Sequence, residues 1–249
     1  MIKTTWDVVV LVQGYPGKSR GNGGLGWSSV ALARAPGRVA ILDTGSFSLR
    51  RTLVARLAVL GVTPADVTDV LLTHSHYDHS LNWPIFPKAT IHIGTQELDW
   101  ALSRPIDDPL VPDLRSLATS PRLARIAPGA SPLPGISTVL TPGHTPFHLT
   151  FILAGADHDT IFAGDAAKNL AELTEEAADL TMDAAASARS LRAINALWRE
   201  KPGTLLICGH DLTMRLDADG TPQRLGTREA GISANLGTSL TGTSVFALE

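Results

Sequence analysis

Four short apolar runs of this chain each end in a turn or small residue and then in a histidine or an aspartate. Val70, Leu71 and Leu72 lead through Thr73 into His74-Ser75-His76-Tyr77-Asp78-His79. Residues 136–140 lead into Thr141-Pro142-Gly143-His144, residues 160–163 into Gly164-Asp165, and residues 204–207 into Cys208-Gly209-His210. A fifth run, 39–42, ends in Asp43-Thr44-Gly45. Short apolar runs bounded by turns read as buried strands, so these polar side chains sit where strands run out into loops. Three imidazoles and a carboxylate within six residues have few structural uses. Alternate side chains of an extended segment point the same way, so His74 and His76 can grip one cation. Asp78 and His79 can turn to a second. Imidazole nitrogen and carboxylate oxygen suit zinc and its borderline neighbours.

The run from His74 to His79, followed by His144, Asp165 and His210, resembles the metallo-β-lactamase fold hydrolases. The gaps of 65, 21 and 45 residues that separate His79, His144, Asp165 and His210 are similar to those of the N-acyl homoserine lactonase branch. So are Gly164-Asp165-Ala166, the Ala-rich segment 181–198 and Gly209-His210-Asp211. The resemblance covers roughly residues 8–212 and is more specific for fold and metal than for substrate. It implies an α/β, four-layer αββα sandwich of two mixed sheets flanked by helices. It also implies two divalent ions, one on His74, His76 and His144 and one on Asp78, His79 and His210, bridged by Asp165. Zinc is the expected ion, and iron, manganese or cobalt suit the same donors. Two such cations lower the pKa of a bound water towards neutrality.

Departures from that pattern bear on the substrate. The lactonase branch commonly carries a tyrosine three residues after the bridging aspartate, where it helps hold the substrate carbonyl; here Lys168 stands there. Its ammonium either binds a developing oxyanion or a substrate carboxylate, or points to solvent. Ser80-Leu81-Asn82-Trp83 stands where a glycine pair often follows the first cluster. His148, four residues after His144, is read as orienting a ligand, and Asp43 as a buried acid hydrogen-bonded to a ligand histidine. A structural histidine and a turn-former are the plain alternatives.

These features predict a hydrolase acting on a small-molecule carbonyl ester, most simply a lactone, with Asp78 moving the proton and Lys168 contacting the oxyanion. A phosphodiesterase or nuclease of the same superfamily is the alternative, since residues 8–15 and 80–87 also resemble a small nuclease-type branch. A net charge of −3 without a basic run offers no general footprint for nucleic acid. Thioester hydrolysis comes third, because no helical C-terminal extension is visible. A redox di-iron centre and a non-catalytic binding module fit less well, given the intact ligand set and the absence of a flavin domain.

The 249 residues fit one domain, 1–249. Charged residues, at 18%, fall below the roughly 25% usual for soluble domains, which predicts a surface partly covered by a partner, as in a homodimer. Cys208, the single cysteine, permits no intrachain disulfide and reads as a small core residue. An N-terminus without an export segment, and no apolar stretch near ~20 residues, predict a cytoplasmic protein without a membrane span. Strands are expected at 8–12, 28–33, 39–42, 67–72, 90–93, 136–140, 149–153, 160–162 and 205–207. Leu49, Leu53, Leu57 and Leu60 predict a helix closed by Gly61, residues 63–66 a capped turn, and 96–102 and 184–198 two more helices. Arg50, Arg51, Arg122 and Arg125 read as solvated helix faces. Residues 13–26, with six glycines, form either a hairpin turn or a flap over the metals, and 104–135 mix loop with short helix beside the substrate pocket.

Overall fold

A computed structural model describes residues 4–18, 25–228, 230–239 and 241–248. The first of two six-stranded sheets runs, in order, β1 (Asp7–Val12), β2 (Val30–Ala35), β3 (Arg38–Leu42), β4 (Asp69–Leu72), β5 (Thr90–Gly94) and β6 (Leu123–Ile126). Its first three strands are antiparallel and the rest parallel. The second sheet consists of β7 (Ile136–Leu140), β8 (Leu149–Leu153), β9 (Thr160–Gly164), β10 (Leu205–Cys208), β11 (Met214–Leu216) and β12 (Pro222–Arg224). There only β9 and β10 run parallel. A separate ribbon joins β13 (Ala230–Ala234) to β14 (Ser244–Leu248).

The helices are α1 (Arg50–Val59), α2 (Tyr77–Ser80), α3 (Thr95–Leu102), α4 (Arg115–Ala118), α5 (Leu170–Glu175) and α6 (Ala184–Glu200). Strand pleating sorts the apolar side chains into three cores. Ala40, Leu42 and Leu71 face the second sheet, where Leu149, Phe151, Phe162 and Ile207 meet them. Ile41, Val70 and Leu72, one residue out of phase, pack outward on Leu53 and Leu57 of α1 and Leu98 of α3. Ile161, Leu206 and Cys208 turn the other way, onto Leu191, Ile194 and Trp198 of α6. The order is therefore helix, sheet, sheet, helix. Strands covered on both faces explain why β4 and β9 are apolar at successive positions rather than at alternate ones. Each buried Leu, Ile, Val or Phe among them contributes roughly 1.5–3 kcal/mol by leaving water. Trp198 also donates its Nε1–H to Thr204 O at 2.9 Å.

The local expectations are met at several points. Gly61, at φ +69°, follows α1, where a residue with a Cβ would be strained. Thr63 and Asp66 form a capping box around a short 3-10 turn. Others need correction. Strand β2 starts at Val30 rather than at residue 28: the Ser29 N–H is given to Gly209 O, and the Ser28 and Ser29 hydroxyls donate to Asp78 O and Cys208 O. Residues 123–126 form an edge strand inside the region read as loop and helix. Arg122 and Arg125 therefore lie on no helix face. Arg122 donates to Phe86 O and Ala89 O, and Arg125 pairs with Asp99 at 2.7 Å. Residues 19–24, with Gly21, Gly23 and Gly24, lie outside the described residues. On either side of them Tyr15 pairs with Trp27, and their rings stack at 5.1 Å. Among the described residues no helix is long and apolar enough to cross a membrane.

Candidate metal centre

All the candidate ligands sit at one edge of the sandwich, on segments that leave strand ends. After β4 the chain bends at Thr73 and reaches His76, whose extended backbone starts α2, so His74 and His76 precede the helical turn that carries Asp78 and His79. His144 lies on the loop between β7 and β8, Asp165 follows β9 and His210 follows β10. These segments bring together all seven residues expected as ligands. One ligand atom from each of His74, His76 and His144 falls within 4.8 Å of the others, and Asp78, His79 and His210 make a second such group. His74, His79 and Asp165 form a third, which links the two. Asp165 turns Oδ2 to His144 Nε2 at 3.2 Å, and Oδ1 to His79 Nε2 at 3.1 Å and His210 Nε2 at 3.2 Å.

Contacts on the outer ring nitrogens fix how these imidazoles are presented. His79 donates Nδ1–H to Asp43 Oδ2 at 2.7 Å, His144 donates to Leu180 O at 3.2 Å, and His210 to Tyr15 O at 3.4 Å. His74 Nδ1 lies 3.0 Å from Thr73 Oγ1. Each ring is thereby left with Nε2 facing the centre, the second-layer logic of a metal site. His76 differs, with Nδ1 set 2.9 Å from His144 Nε2. The Nε2 atoms of His74 and His76 are buried yet satisfy no hydrogen bond, and His79 Nε2 and Asp165 Oδ1 stand 3.1 Å apart without the alignment of one. Buried polar atoms seldom go unpaired. Convergent, unsatisfied imidazole and carboxylate donors fit a divalent metal ion.

Asp43 holds the backbone as well as His79. It occupies the left-handed region at φ 54°, which an aspartate tolerates better than most residues. From there its carboxylate accepts from Thr73 N and Thr73 Oγ1, both at 2.8 Å, which fixes the start of the His74–His79 segment. Gly209 is needed for close approach: a Cβ there would stand 2.1 Å from Asp165 Oδ1. Gly164, at φ +51°, turns the chain just before Asp165.

Charge is divided between the two groups. Burial, helped by His79 and His76, pushes His74 well below the ordinary imidazole range. Burial also pushes His144 down to about 3 against the pull of Asp165. These rings are neutral and ready to donate. On His79 burial acts the same way, but Asp165, Asp78 and Asp43 outweigh it and raise the pKa well above the ordinary value. His210 is raised in the same manner by Asp165 and Asp78. Asp165 is driven well below the carboxylate range: burial opposes this, and His210, His79 and His144 overcome it.

Above the ligands opens a cleft of about 480 Å³, with Asp165, His76, His144 and His210 at its base and Tyr77, Leu110, Leu180 and Met182 on its walls. The last three are 45%, 70% and 51% exposed. Tyr15, Pro16, Gly17 and Lys18 close one side, so the described flank of the 13–26 segment borders the cleft, with Tyr15 bridged to Trp27. Lys18 pairs with Asp179 across it. Lys168 reaches the cleft with its Nζ 2.8 Å from Glu172 Oε1, and its carbonyl accepts from His210 N at 2.7 Å. His148 does not hydrogen-bond a ligand: its Nδ1 meets Thr141 Oγ1 at 3.0 Å, and its ring lies beside that of His74 at 4.9 Å. Cys208 is buried and belongs to neither ligand group.

The superfamily model for metallo-β-lactamases matches residues 23–210, the span that carries every one of these ligand candidates. The chain belongs to the metallo-β-lactamase superfamily. "Metallo-beta-lactamase domain-containing protein 1" of Xenopus laevis is 32% identical over 160 residues, 64% of this chain and 62% of that protein. "N-acyl homoserine lactonase AttM" of Azorhizobium caulinodans is 28% identical over 178 residues, again 64% of this chain and 63% of that protein. Each match spans less than two thirds of the relative's length. A B. thuringiensis AiiA variant, solved with N-decanoyl-L-homoserine bound at its active site, superposes with a TM-score of 0.66 over 84% of this chain and 94% of that one. At 16% identity that likeness shows the shared fold.

Sequence reasoning missed three groups that support the site. Asp211 accepts from Leu170 N, Leu212 N, Arg224 and Arg228, tying the His210 loop to α5 and β12. Ser29 bridges Gly14 N and Cys208 O. Glu97 is buried beneath the ligand loops. An isolated Glu in a short helix carries no sequence signal of such a position, whereas the family's Gly-His-Asp stretch could have pointed to Asp211.

Proposed function

We propose that this chain is a dinuclear metal-dependent hydrolase that opens a lactone or another carbonyl ester. His74, His76 and His144 would hold one ion, Asp78, His79 and His210 the other, and Asp165 would bridge them. Zinc is the proposed ion, since the donors are imidazole and carboxylate without thiolate; iron, manganese or cobalt would fit them too. When bound, such ions supply hydroxide at neutral pH and an electrophile for the carbonyl oxygen. The observation that carries the reading is Asp165, a buried carboxylate with one oxygen turned to each ligand group on the floor of a cleft.

The remaining steps fall to the chain's own side chains. Leu110, Leu180 and Met182 provide apolar walls against which the non-reacting part of an ester can lose water. Asp78 is the more open of the two site carboxylates, 18% against 5% for Asp165, and would carry the proton to the leaving alkoxide. Lys168, held by Glu172, would direct its ammonium to the oxygen on which negative charge develops. A phosphodiester would find little further cationic help at the cleft rim, where Lys18 is paired with Asp179.

The test is a panel of an acyl lactone, an aryl ester, a thioester and a bis-aryl phosphodiester, assayed before chelation, after it, and after zinc is restored. Lactone or ester turnover that disappears and returns is the expected result. Turnover of the phosphodiester alone would move the function to the nuclease branch.

A further inference from the structure

The loops that carry His74, His76 and His144 come from different sheets, and a single buried side chain joins them. Glu97, in the first turn of α3, is fully buried. Its Oε1 accepts from Ser75 N at 2.9 Å and from Ser75 Oγ at 2.7 Å. Its Oε2 accepts from Thr145 Oγ1 at 2.8 Å, and the Phe147 backbone N–H adds a further bond. Ser75 stands between His74 and His76, and Thr145 follows His144.

Among the described residues no cation pairs with this carboxylate. Burial pushes its pKa up, and the hydrogen bonds from Ser75 and Thr145 oppose that shift. A buried carboxyl group without a counter-charge is costly, and it is kept here only by donors on the two ligand loops. The second ligand group is held by other means, with His79 on Asp43 and His210 on Tyr15 O.

From this arrangement we infer that Glu97 is a positioning residue that sets the spacing of the His74, His76 and His144 group and leaves the Asp78, His79 and His210 group alone. The inference rests on the metal ligation proposed above. Its action is geometric: the carboxyl group fixes two backbone segments and touches neither ion nor substrate. Removing it frees Ser75 N–H and the Thr145 hydroxyl inside the core, and the loops drift apart where the ligands must converge. Outer-layer partners of metal ligands typically change metal affinity by about 10- to 100-fold, which is the loss expected at this one group.

The experiment titrates metal-stripped protein with cobalt(II), following visible absorption and competing with a chelator. Wild-type protein is expected to bind in two steps. Glu97→Ala should weaken one step by about 10- to 100-fold and alter its absorption bands while the other step is kept. His76→Ala, run alongside, should remove that same step and so identify it. Glu97→Gln retains the acceptor for Ser75 and should lie closer to wild type than to Glu97→Ala. Thr145→Val removes one strut and should give a smaller loss at the same step; it carries the test if Glu97→Ala does not fold. Wild-type affinity at both steps in Glu97→Ala and Thr145→Val, or equal losses at both steps, would overturn the assignment. Wild-type protein that takes up no cobalt would instead remove the metal reading, and the role of Glu97 with it.

Discussion

Gly209→Ala tests the geometry of Asp165 with a single methyl group. The backbone at Gly209 is not in the left-handed region, so alanine is conformationally acceptable there and the effect is confined to what the new Cβ meets. That atom would stand 2.1 Å from Asp165 Oδ1 and 2.9 Å from Gly164 O, whereas real Cβ atoms essentially never come within 3.0 Å of a neighbour. Relief on the carboxylate side alone therefore takes a displacement of about 0.9 Å. Asp165 cannot retreat freely, because His79, His144 and His210 surround it at 3.1 to 3.2 Å. A misplacement of about 1 Å in a reacting constellation costs on the order of 100-fold, or about 2.7 kcal/mol of transition-state stabilisation. The expected outcome is a kcat/KM on the best ester or lactone of the panel at least about 100-fold below wild type, with reduced metal content and a normal circular dichroism spectrum. Full activity and full metal content in Gly209→Ala would refute the shared-carboxylate geometry.

Other perturbations separate the parts of the account. Asp165→Ala and His76→Ala should both lower metal content and abolish turnover, measured by elemental analysis and the hydrolysis panel; full activity in either would contradict the two-metal assignment. Lys168→Ala should reduce kcat by about 10- to 1000-fold with metal content unchanged, and unaltered kinetics would remove Lys168 from the reaction. Away from the site, Asp69 accepts from Arg38 at 3.0 Å and lies 2.8 Å from His92 Nε2. Burial raises its pKa, but the bonds from His92, Thr68 and Arg38 outweigh it and the net shift is downward. A carboxylate depressed on folding stabilises the protein above its unfolded pKa of about 3.9 and loses that contribution as pH falls through the folded value. Asp69→Asn should therefore cost about 1 kcal/mol in denaturant melts at pH 6 and progressively less below pH 4. A cost that grew on acidification would contradict the sign.

The convergence of the candidate ligands could be read from the chain because each follows an apolar run, and here those strands end at one edge of the sandwich. His74 to His79, His144, Asp165 and His210 all converge as their strand contexts suggest. What stayed hidden depends on contacts between distant segments. Edge strand β6 has Leu123 and Ala124 half-buried and Arg125 exposed, and it shows no apolar run. Ser28 and Ser29 read as strand residues, yet their hydroxyls serve the Asp78 and Cys208 carbonyls. Glu97 gains its position only when α3 is laid beneath two loops that lie 22 and 48 residues further back and further on in the chain. The Tyr15 and Leu180 carbonyls that orient His210 and His144 leave no trace in side-chain chemistry.

Elemental analysis of the protein purified without chelator, scaled to protein concentration, addresses the central claim most directly. The account predicts about two divalent metal ions per chain, falling to about one in His76→Ala, with ester or lactone turnover lost when both are removed. Turnover that persists in fully metal-free protein would contradict it.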